Sequence, residues 1–267
     1  MDDLLSPLDD VADVAWSAAV LDAASGRLLA VRSPERILPT ASVGKLLLLL
    51  EVARQFADGR VDPAAPLERT AEDSVADSGL WQHLRADALP AEDVAVLAAS
   101  VSDNLATNVL LRQVGLDAVA QVGPSLGLDS LQLNDRVRDV RTPADPPTLS
   151  QGNALDLARF AALLATEDAL EWAVLRRWLA GGVDLSMVPG DLGLDPLAHV
   201  DADRGIRVLG KTGTDAGVRA DVGLLGAGSQ VTAYAVVASW TPTSADPVRD
   251  DVLRAMRAVG AKIAARA

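Results

Sequence analysis

The sequence predicts an α+β fold of the two-layer α/β type: an antiparallel sheet built from N- and C-terminal strands, flanked by helices and interrupted by an all-helical insert. Three observations predict it. Residues 14–33 alternate and end in turn chemistry, residues 206–240 read as three further strands, and the stretch between about 61 and 204 is rich in Ala, Leu and Asp and patterned for helices. Strands at both ends of such a chain join most simply into one sheet, because a sheet must cover an apolar face. The expected organisation is a discontinuous sheet domain, 1–60 with 205–267, and a helical domain, 61–204, with a site at their junction.

Taken in order, Val14 to Leu21 reads as a strand, Asp22 to Gly26 as a turn and Arg27 to Val31 as the hairpin partner. Pro39 and Thr40 suit a helix entry, the helical pattern runs from Ser42 to about Ala57, and Asp58-Gly59 stops it. Pro90-Ala91-Glu92-Asp93 opens another helix with proline and acids in its first turn, and Val94 to Val101 continues it. After a turn at Ser102-Asp103, the helix Asn104 to Val114 ends at Gly115. Residues 134–153 form a long irregular loop, a kind that is usually functional inside a compact domain. Helices at Ala154 to Ala165 and Leu170 to Leu179 follow, then strands at Ile206 to Leu209, Ala220 to Leu225 and Val231 to Trp240, and a closing amphipathic helix from Pro247 to Ala265.

Composition narrows the functional classes. With 267 residues, 49% of them hydrophobic, the chain buries a large core. A net charge of -13, from 37 acidic and 24 basic residues, argues against nucleic acid as a partner. There is no cysteine, and His83 and His199 are the only histidines, so neither thiolate nor histidine-rich metal sites are expected and no cofactor is called for. Neither histidine sits in a Ser or Asp pattern that would mark it as functional. The start, Met1-Asp2-Asp3-Leu4-Leu5, lacks a basic and then apolar leader, so the sequence as it stands reads as cytoplasmic; a removed leader would make it secreted or periplasmic. The apolar run Leu46 to Val52 is too short to span a bilayer, so no membrane partner is expected. Nothing in the sequence sets the oligomeric state.

Three short motifs carry chemistry. Ser42 and Lys45 are three residues apart, so a helical segment places them on one face, with the amine beside the hydroxyl. A serine hydroxyl is a weak nucleophile without a base, and a lysine among the apolar side chains Leu46 to Leu50 has its pKa lowered enough to serve. Ser102-Asp103-Asn104 offers a hydroxyl that relays a proton and a carboxamide that binds a substrate carbonyl, although the tripeptide is also ordinary capping chemistry. Lys211-Thr212-Gly213-Thr214 ends a strand: its ammonium anchors an anionic group, its threonines bind a carboxylate, and its glycine lets a ligand lie along the edge.

Taken together and in this order, the three motifs resemble those of class A β-lactamases and penicillin-binding proteins, and the layout of strands and helices is similar over nearly the whole chain. The resemblance implies Ser42 as the acylated nucleophile, Lys45 as its base and Ser102 as the relay to the leaving nitrogen. Asn104 would hold the substrate amide, and Lys211 with Thr212 its carboxylate. Backbone N–H groups of Ser42 and Thr214 would form the oxyanion hole. Arg219 would add a second cationic contact, and Trp81 would wall the cleft, although burial is the commoner fate of a tryptophan. The implied partner is a small-molecule β-lactam or peptide-like substrate. One departure stands out. The loop that carries a glutamate in class A β-lactamases reads NDRVRDVRTPADPPTLSQGN here and has Asp135, Asp139 and Asp145 as its only carboxylates. The shorter side chain reaches less far, so acylation with slow or rerouted deacylation is expected.

Rival motifs fare worse. Gly205 to Thr212 satisfies the phosphate-loop pattern G-x-x-x-x-G-K-T, but its interior is apolar and strand-like where that loop must feed a helix. No G-x-S-x-G elbow occurs. Three classes remain: a β-lactam hydrolase, a peptidase or esterase using the same serine, and a binding or sensor domain that acylates and stays so or never reacts.

Overall fold

The computed structural model describes residues 4–228 and 230–266. The chain opens with the hairpin β1 (Ala15–Asp22) and β2 (Leu28–Arg32), followed by a two-residue strand β3 (Leu38–Pro39), a 3-10 turn at Ala41–Gly44 and helix α1 (Lys45–Ala57). The middle contains β4 (Pro66–Glu68), β5 (Ala88–Pro90), α2 (Ala91–Ser100), α3 (Asn104–Val114), α4 (Leu116–Ala120), α5 (Val122–Ser125), β6 (Gln132–Leu133), β7 (Ser150–Gly152), α6 (Ala154–Thr166) and α7 (Leu170–Ala180). Strands β8 (Arg207–Asp215), β9 (Val218–Ala227) and β10 (Gln230–Ser239) then lead into α8 (Pro247–Ala264).

Five strands form one antiparallel sheet in the order β2-β1-β10-β9-β8, so the N-terminal hairpin docks on the last strand of the chain. Period-two alternation serves both faces. In β1, Ala19 and Leu21 enter one core while Trp16, Ala18 and Val20 enter the other; in β10, Ala233, Ala235 and Val237 oppose Tyr234, Val236 and Ala238 in the same way. A central strand covered on both sides reads as a continuous apolar run, which is why these segments lack a polar face. Helix α8 and the Ser6–Asp10 turn cover one side, and α1 and α6 lie on the other. Helix α1 is buried almost all round, as its LLLLL run requires, and α2, α3 and α7 pack about it.

The segment expected to be all helical also carries short strands. The pairs β4-β5 and β6-β7 are two or three residues long, too short to show a period, and β7 pairs with β3 beside the Ser42 turn. Helix α6 lies against β1 and β10, so a helix of the 61–204 stretch forms part of the layer covering the sheet. Among the described residues, no helix is long and apolar enough to cross a membrane, and no cluster of three metal-ligating side chains occurs.

Candidate active site

Ser42 sits in the 3-10 turn between β3 and α1. The residue before it, Ala41, has φ +47°, a left-handed conformation that costs a non-glycine residue about 1–2 kcal/mol and that the surroundings must enforce. Strand β8 presses on the turn from the other side. A side chain at Gly213 would collide with the Thr40 carbonyl and come within 3.1 Å of the Ser42 and Val43 nitrogens, so glycine there lets the strand reach the backbone N–H of Ser42.

Lys45 begins α1 and is completely buried. Its ammonium donates to the Ser102 carbonyl (2.7 Å), to Asn104 Oδ1 (2.9 Å) and to Ser102 Oγ (3.3 Å), which uses all three of its protons. No hydrogen bond joins it to Ser42, so the expected side-by-side pair is replaced by a link through the second motif. Lys211, from β8, donates to Ser102 Oγ (3.0 Å) and to the Thr212 carbonyl (2.9 Å). The Ser102 hydroxyl therefore lies within hydrogen-bond reach of both amines. Accepting from both occupies its two lone pairs and leaves its own proton to point elsewhere.

Folding reasons hold Ser102 in that place. Its φ of +56° turns the chain between α2 and α3. Asp103 then caps α3 by accepting from Ala106 N (2.9 Å), and its second oxygen accepts from the N–H groups of Leu80 (2.7 Å) and Trp81 (2.8 Å). Capping and site construction are thus one device.

Burial is the first cause of the electrostatics. It holds the Lys45 amine well below the usual lysine range, and the Lys211 charge pushes the same way. It lowers Lys211 to about 8, although Asp184 and Asp221 oppose the shift. Ser42, Ser102, Asn104, Lys211, Thr212 and Thr214 line one cavity of about 650 Å³.

Neither the buried Lys45 nor Gly213 is among the cavity residues, and two further expected cleft residues lie elsewhere. Trp81 is fully buried in the main core, its indole N–H donating to the Ala86 carbonyl (2.8 Å); a large apolar ring gains more from the core than from a wet wall. Arg219 donates to the carbonyls of Asp215 (3.0 Å) and Val218 (2.7 Å), with its guanidinium 5.9 Å from the Trp240 ring centroid, and is not among the cavity residues.

The 134–149 loop contributes Val137, Arg138, Asp139 and Arg141 to the cavity. Asp135 is gripped by Arg138 (2.6 Å) and Arg141 (2.8 Å) and accepts from the Arg136 N–H. Burial pushes its pKa up, but those hydrogen bonds outweigh burial and hold it below the ordinary carboxylate value. Asp145 accepts from Thr142 and pairs with Arg138 (3.2 Å). Asp139 reaches the cavity and accepts from Ala76 N (2.8 Å).

Several cavity residues had no sequence signal strong enough to single them out. His199 is buried there with Nδ1 against the Asp195 carbonyl (3.0 Å). Asp221, opposite Thr212 in the register, accepts from Val188 N (2.9 Å) and the Tyr234 hydroxyl (3.1 Å), and burial raises its pKa to about 7. A lone carboxylate in the apolar run of β9 is the one local hint.

A five-stranded antiparallel sheet with helices on both faces, and a crevice where Ser42, Ser102, Asn104 and Lys211 meet, define the class of β-lactamase and transpeptidase-like folds. The chain belongs to the beta-lactamase enzyme family, whose profile matches residues 4–267. It is similar in structure to a beta-lactamase from Sphaerobacter thermophilus, with 23% identity, a TM-score of 0.82, and 97% of this chain and 92% of the other covered. PBP-A gives 18% identity and a TM-score of 0.79, with 97% and 93% covered. A protein from Desulfarculus baarsii described as a beta-lactamase gives 25% identity and a TM-score of 0.78, with 97% and 94% covered. No curated protein matches the chain. The β8 strand through Gly210-Lys211-Thr212 also answers the phosphate-loop pattern, since that loop must open a helix.

Proposed function

We propose that this hydrolase forms an acyl-enzyme on Ser42 with β-lactams or related amides and esters, and that it releases the acyl group slowly. The observation that carries the reading is the Ser102 hydroxyl held between two buried amines in the cavity that Ser42 lines. Desolvation favours the neutral form of Lys45, which gives up one of the three bonds its ammonium makes, and the lone pair so freed accepts the proton that Ser42 loses on attacking the carbonyl. Ser102 gives its own proton to the departing nitrogen and takes in exchange the one that Lys45 gained, so the hydroxyl and the neutral amine are both restored. The N–H groups of Ser42 and Thr214 receive the oxyanion. Lys211 with Thr212 holds the substrate carboxylate, and the Asn104 carboxamide, whose oxygen is engaged by Lys45 and whose nitrogen donates one N–H to the Ala76 carbonyl (3.4 Å), offers its second N–H to the substrate amide.

Slow release follows from the loop. A carboxylate that activates water must be basic and unoccupied, and Asp135 and Asp145 are held by arginines while Asp139 is tied to Ala76. The alternative of a peptidase or esterase of the penicillin-binding kind draws on the same feature. PBP-A is similar in fold, and a mutant of that protein is described as an acyl-enzyme complex with penicillin G.

Intact-mass measurement after exposure to penicillin tests the reading. The wild type gains one lasting penicilloyl adduct, Ser42→Ala gains none, and a chromogenic cephalosporin is consumed at little more than one equivalent. An adduct in Ser42→Ala, or no adduct in either protein, overturns acylation at Ser42; rapid turnover of the cephalosporin overturns slow release alone.

A further inference from the structure

The strained peptide before Ser42 is held by a chain of buried hydroxyls that comes from the far end of the 134–149 loop. Ser150 is fully buried, and its Oγ lies 2.5 Å from the Ala41 carbonyl and 2.7 Å from Thr40 Oγ1. A carbonyl only accepts, so the single Ser150 hydroxyl proton goes to Ala41, and the Thr40 hydroxyl must donate to Ser150. The order is fixed: Thr40 O–H to Ser150 Oγ, and Ser150 O–H to the Ala41 oxygen. The Thr40 N–H also donates to the Ser150 carbonyl (3.1 Å), and Pro39 pairs with Gln151. On the other side of Ser150 stands Gly44, where any added Cβ would collide with the Ser150 side chain. Thr148 completes the knot, donating to the Ser150 carbonyl (2.5 Å) and accepting from the Ser150 N–H (3.1 Å).

We infer that Thr40 and Ser150 are positioning residues for the nucleophile: their hydroxyl relay fixes the Ala41 carbonyl, holds Ala41 left-handed and so sets where the Ser42 oxygen stands. The inference rests on Ser42 being the nucleophile. A relaxed Ala41 rotates the peptide that begins Ser42, and small displacements of a nucleophile cost up to about a hundredfold in rate. Neither residue touches substrate in this account. Each acts through the backbone of the turn.

Thr40→Val keeps the shape and removes the donor, while Thr40→Ser keeps the donor. Penicillin acylation followed by mass is to be separated into the substrate dissociation constant and the acylation rate constant. Thr40→Val is expected to lower the rate constant roughly tenfold to a hundredfold with the dissociation constant little changed, and Thr40→Ser to stay near wild type. Equal rate constants for Val and Ser, or a loss carried by the dissociation constant, overturn the inference. If the wild type takes no penicillin, the reading of Ser42 as an acylated serine fails first, and crystal structures of the two variants decide the rest. Ala41 leaving the left-handed region in Thr40→Val but not in Thr40→Ser supports the relay, and an unmoved Ala41 in both refutes it.

Discussion

The two walls of the cleft treat buried charge in opposite ways. On the Ser102 wall, every hydrogen bond from Lys45 and Lys211 goes to a neutral oxygen, so no carboxylate at contact distance offsets the desolvation of their charges. On the loop wall, Asp135 and Asp145 meet Arg138 and Arg141 directly. An amine without a carboxylate at contact distance gives up its proton more readily, Lys45 further than Lys211, whose charge Asp184 and Asp221 support. A compensated carboxylate keeps its charge and loses basicity. Under the proposed mechanism, the difference lets one cavity favour attack by a serine and disfavour activation of water.

The largest expected effect comes from deleting the amine proposed as the base of the first wall. Lys45→Met should lower the rate of penicilloyl adduct formation by about 10²–10⁴, the usual contribution of a general base, with the mass assay as the measure. A rate near wild type would leave the contrast without chemical content. Next comes pH. Above about 8 Lys211 loses its proton, so acylation by a carboxylate-bearing substrate should fall, approaching tenfold per pH unit, while an uncharged ester shows no such limb. Folding moves the other way. The folded-state pKa lies below the unfolded lysine value, so the fold disfavours the ammonium and stability rises from about pH 8 toward about 10.4. Denaturant titration should show that rise and its loss in Lys211→Met.

The smallest effect tests the second wall. Asp135→Asn leaves two guanidinium groups without their shared partner, and because these are partly exposed the expected loss is about 1–3 kcal/mol at neutral pH. The Asp135 pKa is held low, so this stability is present above the unfolded carboxylate value and disappears as pH falls through the lower folded one. Urea unfolding of the two proteins should therefore converge in acid. A gap that persists there would mean that the contribution is one of packing.

Much of this was legible in the sequence. Period and turn chemistry placed the hairpin at 15–32 and the three late strands, and three motifs marked Ser42, Ser102 and Lys211 before any contact was known. What escaped was whatever depends on partners distant along the chain. The helical face rule put Lys45 beside Ser42, but Ser102 and Asn104, more than fifty positions away, claim its protons. Arg219 lies five positions beyond the Lys211–Thr214 motif, and both it and Trp81 are outside the cavity in space. The loop shows its lack of glutamate in its letters, whereas the arginine clamp on Asp135 appears only once the loop is folded. Left-handed backbone at Ala41 and Ser102 has no signature, since neither is the glycine that usually announces it.

The pairing of β1 with β10 has a consequence for how the protein comes into being. A ribosome has released Ser42, Lys45 and Ser102 long before it makes Lys211, and the hairpin that precedes the serine stays without its neighbour until residue 239 emerges. Contacts of such long reach form late and slowly. The growing polypeptide therefore carries the proposed nucleophile through most of translation in an unassembled state, and the crevice is complete only with the last strand.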